Sequence, residues 1–301
     1  MIYEMPPYRP PNEGRERSLL LRVTRGCPWN KCAFCGMYKR IRFQIRSVEE
    51  VKEDILKARR WYMAVYGMPP MTAFIGDSDT PIIRASDFAE ILRFLRSEIP
   101  TIARVTSYAR AKTIYRKRWE HLLELREAGL SRLHMGLESG SKEVLARVNK
   151  GATPQEMIEA AAKAKEAGFE VSEYVIIGLG GRELSEEHAE ETARVLNEIN
   201  PHFIRFRTLV PLPGTPVYEW YMSDEFQLLT PHEALREALR IVEKLEVSSV
   251  VCFDHVSNPY PVQDAKFPEE KSRLIQDLKL ALTLDRRQLT DVRDLMYRGY
   301  L

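Results

Sequence analysis

The chain has 301 residues, of which 44% are apolar and 29% charged, and its formal net charge is +2. That length and apolar fraction allow one large domain or a domain with a substantial extension, while the near-neutral charge gives no sign of a broad nucleic-acid-binding face. No stretch approaches the roughly 20 uninterrupted apolar residues of a membrane span, and the polar, proline-rich start is unlike a secretory signal.

Strands and helices are predicted to alternate along the chain after a proline-rich arm at residues 1–17. The first predicted strand, 18–24, runs into a cysteine-rich loop. Ser47 and Glu50 form a capping box that opens a helix, whose apolar stripe ends at Val65. Further strands are predicted at 71–75, 102–106, 132–135, 171–177, 203–210 and 248–253, and further helices at 86–99, 119–128, 154–168, 185–199, from 230 and at 268–301.

This alternation predicts βαβ units and a mostly parallel sheet. The fold class is therefore predicted to be α/β, a partial or full (β/α) barrel of about six parallel strands at residues 18–245. A C-terminal strand and a helical extension are predicted at 246–301. Polar and glycine-rich segments follow the predicted strands, which is where barrel enzymes build their active sites.

Three of the four cysteines lie within nine residues, as Cys27, Cys32 and Cys35 in the spacing C-x4-C-x2-C. This clustering argues against a disulfide framework and for a metal site in a reducing cytosol. Three thiolates on one short loop can bind three irons of a cubane cluster and leave the fourth iron open. A zinc site normally closes with four ligands, and here the fourth would have to come from Cys252 or a distant histidine.

From residue 18 to about residue 268 the sequence resembles the radical S-adenosylmethionine (radical SAM) superfamily. It is similar to the branch of oxygen-independent coproporphyrinogen oxidases, methylthiotransferases and Elongator catalytic subunits, although four residues instead of three separate its first two cysteines. The resemblance implies one 4Fe–4S cluster, S-adenosylmethionine bound at the open iron, and reductive cleavage to a 5′-deoxyadenosyl radical. It also implies an external electron donor such as ferredoxin or flavodoxin.

The resemblance assigns two cofactor contacts early in the chain. Phe34 matches the aromatic residue that precedes the third cysteine and lies near the adenine. The segment Gly76-Asp77-Ser78-Asp79 stands where the family binds the methionine amino group, and its carboxylates suit an ammonium partner.

Three later segments and Lys150 complete this pattern. Glu138 and Ser139, within Gly-Leu-Glu-Ser-Gly, are similar to the family's ribose motif. Lys150 corresponds to a basic residue that pairs with the methionine carboxylate, although a solvated lysine is an equal alternative. The segment that begins Ile177-Gly178 resembles the one that packs on adenine, and Val210 opens a proline-rich turn typical of this branch. The five segments occur in the family's order.

The cysteine count narrows the reaction class. A second cluster needs three or four more cysteines and only Cys252 is left, which argues against a methylthiotransferase. No domain of cobalamin-binding size precedes the predicted barrel, which argues against cobalamin-dependent methyl transfer. Two alternatives stay open: a non-catalytic iron–sulfur protein that transfers electrons or senses redox state, and an RNA-modifying radical SAM enzyme. The near-neutral charge speaks against the second.

Four further residues near the expected barrel mouth are candidates for substrate contact. Cys252 could donate a hydrogen atom, but a lone buried cysteine is more often core packing. His255 is likewise more often structural. Arg205 and Arg207 lie two apart on a strand and share a face, with the aromatic residues of that strand predicted on the other face. If they point inward they need anionic partners, either a protein carboxylate such as Glu173 or an anionic small-molecule substrate.

Overall fold

In a computed structural model of the chain, residues 3–296 are described, and they divide into two compact units. The first unit is formed by the chain up to Asn30, by Tyr38–Met135 and by Glu159–Val171. The second is formed by Lys31–Met37, by Gly136–Ile158 and by the chain from Ser172 onward.

The strands and helices alternate along most of the chain. The strands are β1 Leu19–Arg22, β2 Thr24–Arg25, β3 Gln44–Ile45, β4 Thr72–Gly76, β5 Arg104–Ala109, β6 Leu130–Glu138, β7 Glu170–Ile177, β8 Phe203–Thr208, β9 Val250–Phe253 and β10 Val262–Lys266. The helices are α1 Pro11–Arg15, α2 Val48–Tyr66, α3 Ala85–Glu98, α4 Ala111–Arg116, α5 Trp119–Glu127, α6 Lys142–Arg147, α7 Pro154–Glu166, α8 Ser185–Ile199, α9 Pro216–Met222, α10 Pro231–Lys244, α11 Lys271–Ala281 and α12 Val292–Leu295. Two 3-10 turns lie at Thr80–Ile82 and Arg286–Gln288.

The main sheet contains eight strands in the order β1-β4-β5-β6-β7-β8-β9-β10. In the first unit β1, β4, β5 and β6 pair in parallel, and in the second unit β7, β8 and β9 do the same. The last strand, β10, runs antiparallel to β9, and β2 pairs with β3 in a separate two-stranded ladder. The prediction of an α/β fold with a mostly parallel sheet is confirmed. The sequence did not indicate β10.

In the first unit, α2 packs an apolar stripe onto β1. Ser47 caps the helix and exchanges capping-box hydrogen bonds with Glu50, as predicted. The stripe is buried as far as Ala58. It then continues through Tyr62, whose hydroxyl donates a 2.8 Å hydrogen bond to the Ser18 carbonyl, while Val65 is 53% exposed. The predicted end of the stripe at Val65 is therefore wrong by three residues, because the last buried residue of the helix is Tyr62.

In the second unit, α8 and α10 pack side by side. Thr230 and Glu233 form the capping box that starts α10. A separate apolar cluster lies under the loops that follow the strands, and the partly buried Phe34 packs against it. The members of this apolar cluster are Ala33, Val144, Val148, Leu179, Leu209, Val210, Val217, Phe226, Leu228, Val292 and Met296.

The C-terminal extension is helical where it is described, in α11 and α12. The predicted helix to residue 301 includes residues 297–301, which lie outside the described residues. Among residues 3–296, no helix has the length and apolar composition needed to cross a membrane.

Candidate cofactor site

The cysteine loop follows β2, and its three cysteines are partly exposed and form no disulfide. Near its start, the Asn30 backbone N–H lies 3.3 Å from Cys27 Sγ, and Asn30 adopts a left-handed conformation with φ of 47°. Three cysteine thiols at this spacing are the donor set of a cubane cluster with one open iron. Within residues 3–296, no three His, Cys, Asp or Glu side chains are already grouped as metal ligands, so the assignment rests on the thiols and their spacing.

The second half of the loop is fixed by backbone hydrogen bonds within the second unit. The Ala33 N–H donates to the Val148 carbonyl at 2.8 Å, and the Ala33 carbonyl accepts from the Val217 N–H at 3.1 Å. The segment that carries Cys32 and Cys35 is therefore attached to the end of α6 and the start of α9.

In the first unit, Asp77 holds the start of the cysteine loop. Its carboxylate is fully buried and accepts hydrogen bonds from Arg22 Nε at 3.1 Å and Nη2 at 2.8 Å. It also accepts from the Gly26 N–H at 2.5 Å, while Ser78 Oγ donates to the Gly26 carbonyl. Burial raises the pKa of Asp77, and the Arg22 guanidinium counteracts that rise. Asp77 and Ser78 thus clamp both backbone polar groups of Gly26, the residue before Cys27.

Asp79 is also committed to protein partners. It is fully buried and accepts from the Arg110 N–H at 3.0 Å and from Thr113 Oγ1 at 2.6 Å, at the start of α4. Burial raises its pKa to about 6. The sequence predicts that the carboxylates of Asp77 and Asp79 suit an ammonium ligand. It does not show that both already accept hydrogen bonds from protein groups.

In the second unit, three predicted cofactor residues come together. Lys150 Nζ donates a 2.7 Å hydrogen bond to Glu138 Oε1 and lies 6.0 Å from the centre of the Phe34 ring. Glu138 ends β6 in the left-handed region, with φ of 62°. This backbone turn, which non-glycine residues rarely adopt, directs the carboxylate back over Gly136, since a Cβ at Gly136 would collide with Glu138 Oε1.

Glu173 adds a second carboxyl group beside this pair. It lies on β7 and is only 1% exposed. Burial raises its pKa to about 8, with Lys150 lowering it and Glu138 raising it. The sequence suggested Glu173 as a partner of Arg205 or Arg207, but the electrostatic neighbours of Glu173 are Lys150 and Glu138. Its role was missed because nothing local to β7 marks which face of the strand the carboxyl occupies.

The remaining predicted cofactor contacts follow β6, β7 and β8. Val210 is a buried member of the apolar cluster against which Phe34 packs, so two predicted cofactor residues share one apolar surface. The Leu209 N–H donates to the Ile177 carbonyl at 2.9 Å. Ser139 and Gly178 are bonded to buried side chains of α8 and α10.

The predicted substrate residues form a separate group on β7, β8 and β9. Arg205 is 7% exposed and pairs with Cys252 in the strand register. Its Nε donates to Ser172 Oγ at 3.1 Å, and its guanidinium lies 5.4 Å from the Phe203 ring centre. Phe203 therefore shares the face of the arginines, and the prediction that the aromatics lie opposite is wrong for this residue.

The Arg207 guanidinium lies over the Tyr174 ring, 4.7 Å from its centre. Burial, together with the charge of Arg207, lowers the pKa of His255 to about 3. His255 Nδ1 lies 2.7 Å from Ser257 Oγ, as expected for a structural histidine. Burial raises the pKa of Cys252 to about 12, so this residue keeps its thiol proton.

Comparison with known proteins supports the pattern read from the sequence. The family model of the Radical SAM superfamily matches residues 21–196, more than half of the chain. An uncharacterized methyltransferase of Pyrococcus horikoshii is 26% identical over 69% of this chain, which spans only 43% of that protein. A biotin synthase of Pelotomaculum thermopropionicum is 25% identical over 83% of this chain and 79% of its own length.

Among solved structures, methylornithine synthase (PylB) superposes with a TM-score of 0.53 at 17% identity, over 91% of this chain and 83% of its own. The archaeal Elp3 of Methanocaldococcus infernus gives 0.54 at 15% identity, over 78% and 62%. These similarities show the fold class, an α/β fold with a mostly parallel sheet of the partial-barrel type.

Proposed function

This chain belongs to the radical SAM superfamily, and we propose that it cleaves S-adenosylmethionine at one 4Fe–4S cluster held by Cys27, Cys32 and Cys35. Superfamily members are enzymes that bind both cofactors. When bound and reduced, the cluster supplies the electron that breaks the carbon–sulfur bond, which gives methionine and a 5′-deoxyadenosyl radical. An external donor such as ferredoxin or flavodoxin supplies the electron. Cysteines that form no disulfide are consistent with a reducing cytoplasm.

The observation that carries the proposal is the convergence of Phe34, Glu138 and Lys150 in the second unit. A carboxylate accepts hydrogen bonds from ribose hydroxyls, an ammonium pairs with the methionine carboxylate, and an aromatic ring packs on adenine. Phe34 is more than 100 residues away from the other two in sequence, and Lys150 lies near both its ring and Glu138. This combination suits the three parts of the cofactor. In this role Asp77 and Ser78 position the start of the cysteine loop through Gly26.

The decisive experiment is cofactor cleavage by the reconstituted protein. Dithionite-reduced protein should convert S-adenosylmethionine to methionine and 5′-deoxyadenosine, and the Cys32→Ala variant should not. A protein that holds a cluster but leaves the cofactor intact would instead be an electron carrier or redox sensor.

We further propose that the substrate is an anionic small molecule bound by Arg205. Within the described part of the chain, the contacts of this buried guanidinium are a hydroxyl and an aromatic ring, and no carboxylate forms a salt bridge with it. A buried cation without a counter-ion is costly, and arginine binds carboxylate or phosphate through two parallel hydrogen bonds.

Inorganic phosphate and succinate serve as probes of this site. Both should raise the thermal midpoint of the wild-type protein and leave that of Arg205→Gln unchanged. Arg240→Gln, which removes an exposed ion pair with Glu186, is the matched control and should respond like wild type. Equal responses in all three proteins would remove the anionic-substrate proposal and leave the cofactor chemistry untouched.

A further inference from the structure

Two buried polar side chains connect the loop after β6 with the loop after β7. His188 lies on α8 and Glu237 on α10, and both side chains are completely inaccessible. His188 Nδ1 lies 2.8 Å from Ser139 Oγ, and His188 Nε2 lies 3.4 Å from Glu237 Oε1. The same carboxylate oxygen accepts a 2.6 Å hydrogen bond from the Gly178 N–H. A series of polar contacts thus runs from Ser139 to Gly178 through two helices.

Both ends of this series are held by further hydrogen bonds. Glu237 Oε2 accepts from Ser185 Oγ at 2.5 Å, and Ser139 Oγ accepts from the Ser141 N–H at 3.0 Å. Burial lowers the pKa of His188 to about 4, so the imidazole is neutral at physiological pH. A neutral imidazole has one donor and one acceptor. The contacts fit a tautomer in which Nδ1 accepts from the Ser139 hydroxyl. Nε2 lies near Glu237 Oε1 at 3.4 Å without the geometry of a hydrogen bond.

Helix packing does not account for this pair. Apart from Thr192, the other buried side chains of α8 and α10 are aliphatic or proline, among them Ala189, Ala193, Leu196, Ala234, Ala238 and Ile241. Placing an acid and an imidazole in such a core is costly unless their hydrogen bonds are made. An apolar pair would pack the helices without that cost. Unlike an apolar pair, His188 and Glu237 also form hydrogen bonds to the loop after β6 and the loop after β7.

We propose that His188 and Glu237 are positioning residues for S-adenosylmethionine, which fix the backbone of the loop after β6 and the loop after β7 before the cofactor binds. The inference rests on the proposed function, because both loops were assigned to the cofactor. Neither side chain touches the ligand. A prearranged site binds more tightly because ordering of the loops no longer opposes binding.

The test compares substitutions at Glu237 in the cluster-reconstituted protein. Glu237→Leu removes the acceptor for the Gly178 N–H and should weaken S-adenosylmethionine binding about tenfold, the scale of one buried hydrogen bond. Glu237→Gln keeps an acceptor oxygen and should bind within about twofold of wild type. His188→Phe should behave like the leucine variant. Val195→Ala, a buried position of α8 outside the series of polar contacts, is the control for lost stability.

A second measurement needs no cofactor. Amide hydrogen exchange of peptides covering 177–181 should accelerate in Glu237→Leu and stay slow in Val195→Ala. If Glu237→Leu and His188→Phe bind the cofactor like wild type, or if Val195→Ala weakens binding as much as they do, the positioning role is wrong. If wild type itself does not bind or cleave the cofactor, the proposed function fails first, and the exchange result still reports whether the series of polar contacts orders the loop.

Discussion

Two segments of similar composition use their acidic residues differently. In the first unit, Gly76–Asp79 begins at the last residue of β4, and both of its carboxylates are satisfied by backbone N–H groups, an arginine and a threonine. In the second unit, Gly136–Gly140 spans the end of β6, and its carboxylate, Glu138, is paired with the flexible side chain of Lys150. The first arrangement fixes the backbone of a loop, and the second keeps two charged groups next to each other at a site edge.

The difference shows how a ligand-binding carboxylate can be separated from a structural one. An acid bonded to backbone amides can change partners only if the loop moves. An acid paired with a lysine can exchange it for ribose hydroxyls while the ammonium turns to another anion, because the lysine stem is flexible. The following predictions test whether this division of roles is correct.

The largest effect is expected at the cysteine loop that Asp77 holds. Anaerobically reconstituted protein should contain about four irons and four sulfides, as one cubane cluster requires. Changing Cys27, Cys32 or Cys35 to Ala should abolish the cluster and all cofactor cleavage. Cys252→Ala is the matched control and should keep the full iron content. Iron near eight, or loss of the cluster in the control, would show that the ligands are misassigned.

Asp77→Ala should be the most destabilising of the acid substitutions. It leaves Arg22 without its buried partner and Gly26 without its acceptor, and removal of one partner of a buried ion pair costs about 3–5 kcal/mol. Urea unfolding measures the loss. Asp87→Ala, which removes the partly exposed pair with Arg84, should change the unfolding free energy little. A small effect of Asp77→Ala would mean that the clamp on Gly26 is not needed.

Glu173→Gln should stabilise the protein increasingly as the pH rises. Burial raises the Glu173 pKa from 4.5 to about 8, so between these values the folded state holds a proton that the unfolded state has lost. Wild-type stability therefore falls as pH rises through this window, by about 1.4 kcal/mol per pH unit for one proton. Glutamine does not titrate and avoids the loss.

From pH 5.5 to 7.5 the stability difference between Glu173→Gln and wild type should grow by about 2–3 kcal/mol. Urea unfolding at three pH values measures it. Glu53→Gln, at a 71% exposed side chain, should follow wild type throughout. A constant difference for Glu173→Gln would indicate that Lys150 keeps Glu173 ionised.

Glu138→Ala should weaken S-adenosylmethionine binding by about 1–3 kcal/mol, the range for a hydrogen bond to a charged group, without loss of iron. Equilibrium dialysis on the reconstituted protein measures the change. Asp79→Asn preserves the shape of a carboxylate whose partners are in the protein, so it should leave the affinity unchanged. If Asp79→Asn has the larger effect on affinity, the contrast between the two segments is reversed.

The parts of the fold that could be predicted are those with local signals. The capping boxes at Ser47 and Thr230 correctly placed the starts of α2 and α10, because a cap depends on residues three apart. The short helices α4, α6 and α9 and the edge strand β10 were missed. Each is too short for hydrophobic periodicity to distinguish it from a loop.

The candidate site shows the same limit. The family motifs identified Glu138, Lys150 and Phe34, but they did not show that these side chains lie close together. The pairing of Asp77 with Arg22 was equally unpredictable, because the two residues are 55 positions apart. Such pairings are set by strand register and by the packing of helices onto the sheet. His188 and Glu237 carry no local signal for the same reason, since they lie in the middle of ordinary amphipathic helices.

The ion pair between Glu138 and Lys150 constrains which residue can stand at position 136. A methyl group at this position would occupy the space of Glu138 Oε1 and would approach Lys150 Nζ to 2.7 Å. The glycine is thus required by side chains two and fourteen residues away, and its own φ is not in the left-handed range. Across an alignment, glycine at 136 should covary with the acid at 138 and the base at 150, so that relatives with alanine there have also exchanged the charged pair.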